Sequence, residues 1–241
     1  MNRTIGTATR VLKQLRHDHR TMALLMMVPV LLMALISWIF PKPVFDHIGL
    51  AMLGIFPFIT MFLVTSISTL RERQSGTLER LLSMPLRKFD FIIGYQLAFA
   101  VLSLVQSVLA VGVAVWLLDL QFSGPKWMAI LVAMSVAQLG TALGLALSAL
   151  AQTEFQAVQF LPAVIIPQLF LCGLAIPRDQ LNDVLRPISD VLPLSYAVDV
   201  LNGVSDEPTL SSQTWEKFGV IWAFVVGFIV IGSLTLKRRS I

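Results

Sequence analysis

The charged side chains through which this chain could be gripped by another protein crowd into one stretch, Arg71 to Lys88, with the sequence RERQSGTLERLLSMPLRK. From Thr77 onward Leu78, Leu81, Leu82 and Pro85 fall at i, i+3, i+4 and i+7, so the leucines share one stripe and Glu79, Arg80 and Ser83 share the other face. The spacing predicts a short amphipathic helix over 77–84. Ser75, Gly76 and Thr77 supply a flexible entry and a hydroxyl cap, Glu79 sits where the helix dipole favours an anion, and Pro85 ends the turn. A second reading stands beside it on composition alone: a juxtamembrane loop made basic only to fix topology.

Other chemistries find no support in the residues. Only 13% of the 241 residues are charged against 56% hydrophobic, and the mean hydropathy is +0.79, too few charges to dress a water-soluble surface. The chain reads as an integral membrane protein. Its net charge of +4 does not suggest nucleic acid, because the basic residues lie beside apolar runs rather than on one basic face. The single cysteine, Cys172, excludes an internal disulfide and any multi-cysteine metal site. His17, His19 and His47 lie outside the apolar runs, and neither HExxH nor GxSxG occurs, so an enzyme is not expected. No lysine follows a glycine as a P-loop requires, so any active work must be powered by another protein.

Six apolar runs of roughly 20 residues, the length that spans a bilayer, would position the charged stretch. They cover residues 21–40, 48–70, 91–118, 127–150, 157–176 and 218–236, and none contains Asp, Glu, His, Lys or Arg. A proton- or sodium-coupled carrier normally keeps one such group buried despite a cost of at least ~2.5 kcal/mol, so secondary transport is disfavoured. The fifth run holds Pro162 and Pro167, which must interrupt its backbone hydrogen bonds. The fourth holds Gly140 and Gly144, a small-xxx-small spacing that lets another helix come close.

Ahead of the runs, residues 1–20 read as an amphipathic helix in the membrane interface. Ile5, Ala8, Leu12 and Leu15 form its lipid side, with Arg10, Lys13, His17 and Arg20 toward headgroups. With the N-terminus cytoplasmic, thirteen of the eighteen lysines and arginines fall inside, so both termini are expected there. All five tryptophans then lie at or near outer ends of spans. Residues 177–216 form a long outer segment in which Leu181, Val184, Leu185 and Ile188 are spaced as one helical face. Ser195 to Val204 predicts a second short helix ending at Asn202 and Gly203. The expected fold is an all-α polytopic membrane protein: a connecting helix at 1–20 and a six-span domain at 21–241.

The stretch RERQSGTLERLLSMPLRKFDFIIGY resembles the segment joining spans two and three in permeases of type 2 ATP-binding-cassette exporters, where an E-x-G-T-x-E-x-L-L-x-x-P pattern forms the coupling helix. FLCGLAIP followed by LRPISDVLPLSYAVDVL is similar to the F-x-S-G-x-x-x-P…P-L-x-Y-x-x-D signature of the same family, with Cys172 where serine is commoner. The connection between the first two spans is short, so the resemblance is to the compact permeases of daunorubicin-resistance and lipo-oligosaccharide export.

What the resemblance implies is a homodimer working with a separate ATPase subunit in the cytoplasmic membrane. The ATPase would be met by Glu72, Arg73, Ser75, Gly76, Thr77, Leu78, Glu79, Arg80, Leu81, Leu82 and Pro85, with the leucines packed into its cleft. It also implies a pathway near Thr60, Thr65, Gln159, Phe160, Gln168 and Phe170, and an outer gate near Cys172, Gly173, Pro177, Pro193 and Tyr196. The cargo class it implies is amphiphilic and drug- or antibiotic-like, with a lipid-linked glycan or glycolipid as the alternative. A non-transporting membrane scaffold or immunity protein is the alternative of another class.

Overall fold

The long apolar runs become helices because each must satisfy its own backbone hydrogen bonds where water is absent. The computed structural model describes residues 2–76, 88–174 and 176–235. In chain order the helices are α1 (Asn2–His17), α2 (His19–Ile39), α3 (Lys42–Gln74), α4 (Lys88–Trp116), α5 (Lys126–Ser148), α6 (Glu154–Phe160), α7 (Ile166–Leu171), α8 (Leu185–Val191), α9 (Pro193–Asp206) and α10 (Ser212–Thr235). A π-helical turn, Leu161–Ile165, fuses α6 to α7 into one span. Six stretches are long and apolar enough to cross a membrane, and no strand occurs among the described residues. The fold is all-α and polytopic.

α3 and α5 form the centre of the bundle. Within their most apolar windows 67% and 78% of residues are buried, against 17% for α2, 17% for the α6–α7 span and 22% for α10, which lie outside. The central pair touches through the glycines read from the sequence. A Cβ on Gly140 would lie 2.3 Å from the carbonyl oxygen of Phe58, and one on Gly144 would lie 2.6 Å from that of Phe62. No side chain fits there, and the backbones are close because none is present.

Several boundaries differ from those expected, each for a local reason. The second span runs from Lys42 to Gln74 rather than from 48 to 70, since Pro41 starts the helix early and the charged Arg71 to Gln74 turn continues it past the apolar run. The third lies at Lys88–Trp116, the fourth ends at Ser148, and the sixth begins at Ser212, where polar residues extend or end the helix. The fifth ends at Leu171 rather than 176, because Gly173 takes a left-handed φ of 89° and turns the chain. Its prolines produce the π-helical turn, in which the Ile166 N–H reaches the carbonyl of Leu161.

The short helices depart further. Leu181, Val184, Leu185 and Ile188 do not form one helical face, because α8 starts only at Leu185, after an Asn182 turn whose Oδ1 accepts from the Val184 N–H at 3.2 Å. The second helix does not stop at Asn202 and Gly203 but runs to Asp206. α1 spans Asn2–His17 and buries Thr7, Ala8, Val11 and Leu15, while Ile5 is exposed. It packs on α4 where Gly94 lies under Thr7, so its apolar side meets protein rather than lipid.

Candidate functional site

Polar side chains gather at both ends of the bundle. At one end α3 overshoots the apolar layer: 33 residues make a rod of about 50 Å against a hydrocarbon core of ~30 Å. Its last turn meets four different parts of the chain. The Arg71 guanidinium forks onto Glu154 at the start of α6, Nε to Oε1 at 2.7 Å and Nη2 to Oε2 at 3.0 Å. Glu72, 3% exposed, receives a second fork from Arg10 of α1, at 2.6 and 3.2 Å. Arg73 donates to the carbonyl of Ser148, the last residue of α5. The Gln74 side chain donates to the carbonyl of Gln152 at 2.8 Å.

Arg10 therefore faces inward to a carboxylate rather than outward to headgroups. Burial alone would lower its guanidinium, but the hydrogen bonds and charge of Glu72 outweigh that and raise it above its ordinary value. Nearby, Asp18 caps α2, accepting from the Thr21 N–H at 3.1 Å and hydroxyl at 2.6 Å, and those bonds hold its carboxyl below the usual range.

α3 then stops. The Ser75 N–H bonds to the Arg71 carbonyl at 2.9 Å, and Gly76 follows with a φ of 68°, a backbone conformation that favours glycine. Ser75 and Gly76 thus cap α3. Of the other coupling residues, Thr77, Leu78, Glu79, Arg80, Leu81, Leu82 and Pro85, and with them the predicted helix at 77–84, lie outside the described residues. Glu72 and Arg73, expected in polar contacts with an ATPase, are engaged within the chain.

At the opposite end two of the residues offered from the sequence as a gate, Gly173 and Tyr196, lie against a side chain not among them, Arg178. Its guanidinium is 15% exposed and donates to Asp199 at 2.5 Å, to the Ser189 hydroxyl at 3.0 Å and to Asp190. It also lies 5.4 Å from the ring of Tyr196, whose hydroxyl donates to the Asp190 carbonyl at 2.7 Å. The Ser189 hydroxyl in turn donates to the Leu171 carbonyl at 2.7 Å, and Lys217 of α10 reaches Asp199 at 2.9 Å. Arg178 thereby ties the end of α7 to α8 and α9, and Lys217 adds α10 through Asp199. Gly173 belongs to this cluster by space, since a Cβ there would lie 2.9 Å from Arg178 Cγ. Pro177 precedes Arg178, Pro193 starts α9, and Cys172 is buried with its thiol pushed up by that burial. The signal for Arg178 and Asp199 was their charge beside Pro177 and within the P-L-x-Y-x-x-D stretch.

The pathway candidates differ in exposure within the one chain. Thr60 is half-buried and accepts from Gln106 Nε2 at 3.0 Å, which makes it an interhelical contact. Thr65 is fully buried and Gln168 is 3% exposed. Gln159 and Phe170 face outward, and Phe160 packs beside Leu70 and Ala157. The polar contacts at membrane depth are instead glutamines that an inventory of ionisable groups overlooks. Gln96 Nε2 donates to Gln138 Oε1 at 2.7 Å, Gln138 Nε2 donates to the Ser103 hydroxyl at 2.8 Å, and Gln106 Nε2 donates to the Leu25 carbonyl at 2.6 Å. They join α4 to α5 and α2, the interhelical glue that apolar packing alone does not provide.

Comparison with known proteins adds a family. The sequence pattern of the ABC-2 type transporter matches residues 5–204. The chain is similar to the "Probable multidrug ABC transporter permease YbhR" of Escherichia coli (strain K12), 23% identical over 185 residues, covering 76% of this chain and 50% of that protein. It is similar to "Nodulation protein J" of Rhizobium leguminosarum bv. viciae, 27% identical over 177 residues, covering 70% of this chain and 64% of that one. It is also similar to "ABC transporter G family member 20" of Dictyostelium discoideum, 24% identical over 197 residues, 81% of this chain but 27% of that protein. The chain thus spans between about a quarter and about two thirds of the length of these relatives.

Proposed function

This chain belongs to the ABC-2 type transporter family, and from that membership we propose that it is the membrane-spanning subunit of an ATP-driven exporter of amphiphilic, drug-like molecules. In this reading two copies enclose the pathway in the cytoplasmic membrane, with both termini inside. A separate ATPase holding ATP and magnesium grips the segment 77–87. The observation that carries the reading is the end of α3: a central span leaves the apolar layer, engages its surroundings through every residue from Arg71 to Gln74, and delivers the chain straight into that segment. Lys and Arg are concentrated at this end, which supports its cytoplasmic placement.

The drug-like cargo rests on the likeness to the multidrug permease named above. Export of a lipid-linked glycan is the second reading. It is favoured by the short connection between the first two spans, the feature on which the chain resembles the compact permeases of lipo-oligosaccharide export.

The test is co-expression with an ABC ATPase encoded beside it, purification through a tag on this chain, and ATP turnover in proteoliposomes. Stimulation by a fluorescent amphiphilic dye supports drug export, and stimulation by a glycolipid but not the dye supports the second reading. Failure to retain any ATPase would favour a scaffold without cargo.

A further inference from the structure

Four consecutive helical residues point in four directions, because each is rotated by about 100° from the last. On a helix lying against a surface two of them face solvent, here Arg71 and Gln74. At Arg71 to Gln74 all four find partners among the described residues, and these include Glu154 on α6, Arg10 on α1, Ser148 at the end of α5 and Gln152 in the α5–α6 connection. The partners match chemically, with guanidinium on carboxylate twice, guanidinium on the helix-end carbonyl of Ser148 and amide on the loop carbonyl of Gln152.

We infer that Arg71 to Gln74 are positioning residues that distribute displacement of the segment after Gly76 to α1, α5 and α6 at once, and that the Arg71–Glu154 fork sets α6 to move with α3. The inference rests on the proposed transport reading and adds to it how the push is divided. α3 is one helix from Lys42 to Gln74 whose interior proline, Pro57, lies roughly four to five turns before its end, so a displacement at Gln74 is carried along the unbroken half that follows Pro57. The Arg10–Glu72 fork anchors the rod within the core, with its carboxylate buried. The Arg71–Glu154 fork is the part that can be cut without unfolding, since its side chains are 59% and 45% exposed. It meets α6 just ahead of the π-helical turn, the one interruption in the six spans that is built from two prolines.

The experiment is a charge exchange in the assembled complex: Arg71→Glu, Glu154→Arg and both together, read as cargo moved per ATP consumed alongside the amount of ATPase co-purified. Each single change should lower the transport ratio by about threefold to tenfold, the usual size of a coupling effect, while the ATPase remains bound. The exchanged pair should recover most of it. Loss in the singles without recovery in the pair would overturn the inference, because each residue would then act on its own; so would an unchanged ratio in the singles. If the unaltered chain binds no ATPase, the transport reading itself fails and the inference falls with it.

Discussion

Gly140 on α5 stands so close to Phe58 on α3 that a Cβ at the glycine would lie 2.3 Å from the phenylalanine's carbonyl oxygen. The neighbour is backbone, which cannot rotate aside as a side chain would. Gly140→Ala should therefore part the two central helices and destabilise the protein by about 1–3 kcal/mol, as overpacking does. Gly227→Ala, where nothing lies within 4 Å, is the control and should be neutral or slightly stabilising. Denaturant titration in micelles measures both, and equal stability of the two variants would show that the contact is slack.

Arg178 is nearly enclosed, and Asp199, 17% exposed on its side chain, depends on it and on Lys217 for charge balance. Removing one partner of such a pair costs about 3–5 kcal/mol when burial is complete. Because Lys217 remains and some solvent reaches the site, Arg178→Ala should cost about 2–3 kcal/mol. The loss should be local, with faster amide exchange in α8 and α9. Arg178→Lys should recover less than half, since an ammonium cannot fork between Asp190, Ser189 and Asp199. Full recovery by lysine would mean that charge alone holds the segment.

These two sites mark what the sequence could reveal. Gly140 and Gly144 advertise a close approach through their spacing, and Pro162 and Pro167 advertise a broken helix, because both are local effects of residue type. The partner of Arg10 was not legible: its helical position assigns it to the polar face, and nothing local points to a carboxylate 62 residues onward. The apolar spacing from Leu181 to Ile188 suggested a helix that a single Asn182 turn defers until Leu185. Gln96 and Gln138 look inert one at a time and acquire meaning only as a pair across two helices.

Asp18 gives a pH signature at the start of α2. Its carboxyl is held below the unfolded value of about 3.9 by the Thr21 bonds, so the folded chain releases the proton more readily than the unfolded one. The stability it contributes is therefore full above about pH 4 and is lost as pH falls through its lower folded value. Asp18→Ala should cost about 1 kcal/mol near neutrality and nothing further in acid. Asp18→Asn should keep the cap and lose the pH dependence. Stability measured between about pH 3 and 7 separates these outcomes, and a wild-type profile as flat as that of the asparagine variant would remove Asp18 as the source.

The two prolines of the fifth span have a reporter nearby. Pro162 and Pro167 each lack the N–H that would bond the turn before it, so the α-helical ladder is interrupted at both and the wider Leu161–Ile165 π-helical turn carries the chain between them. That turn holds one residue more than an α-helical turn would, so restoring regular winding rotates everything beyond it by about 100°. Gln168 and Cys172, both buried, should then swing outward. Cys172 is the chain's single cysteine, so maleimide labelling reads its exposure without background. In the wild type the buried, raised thiol should label slowly; in the Pro162→Ala, Pro167→Ala double variant it should label at least about tenfold faster, a difference of about 1.4 kcal/mol in opening. Membrane yield should change little, because alanine is the better helix former. Labelling as slow as in the wild type would show that the surrounding helices, and not the prolines, hold the fifth span in its present rotation.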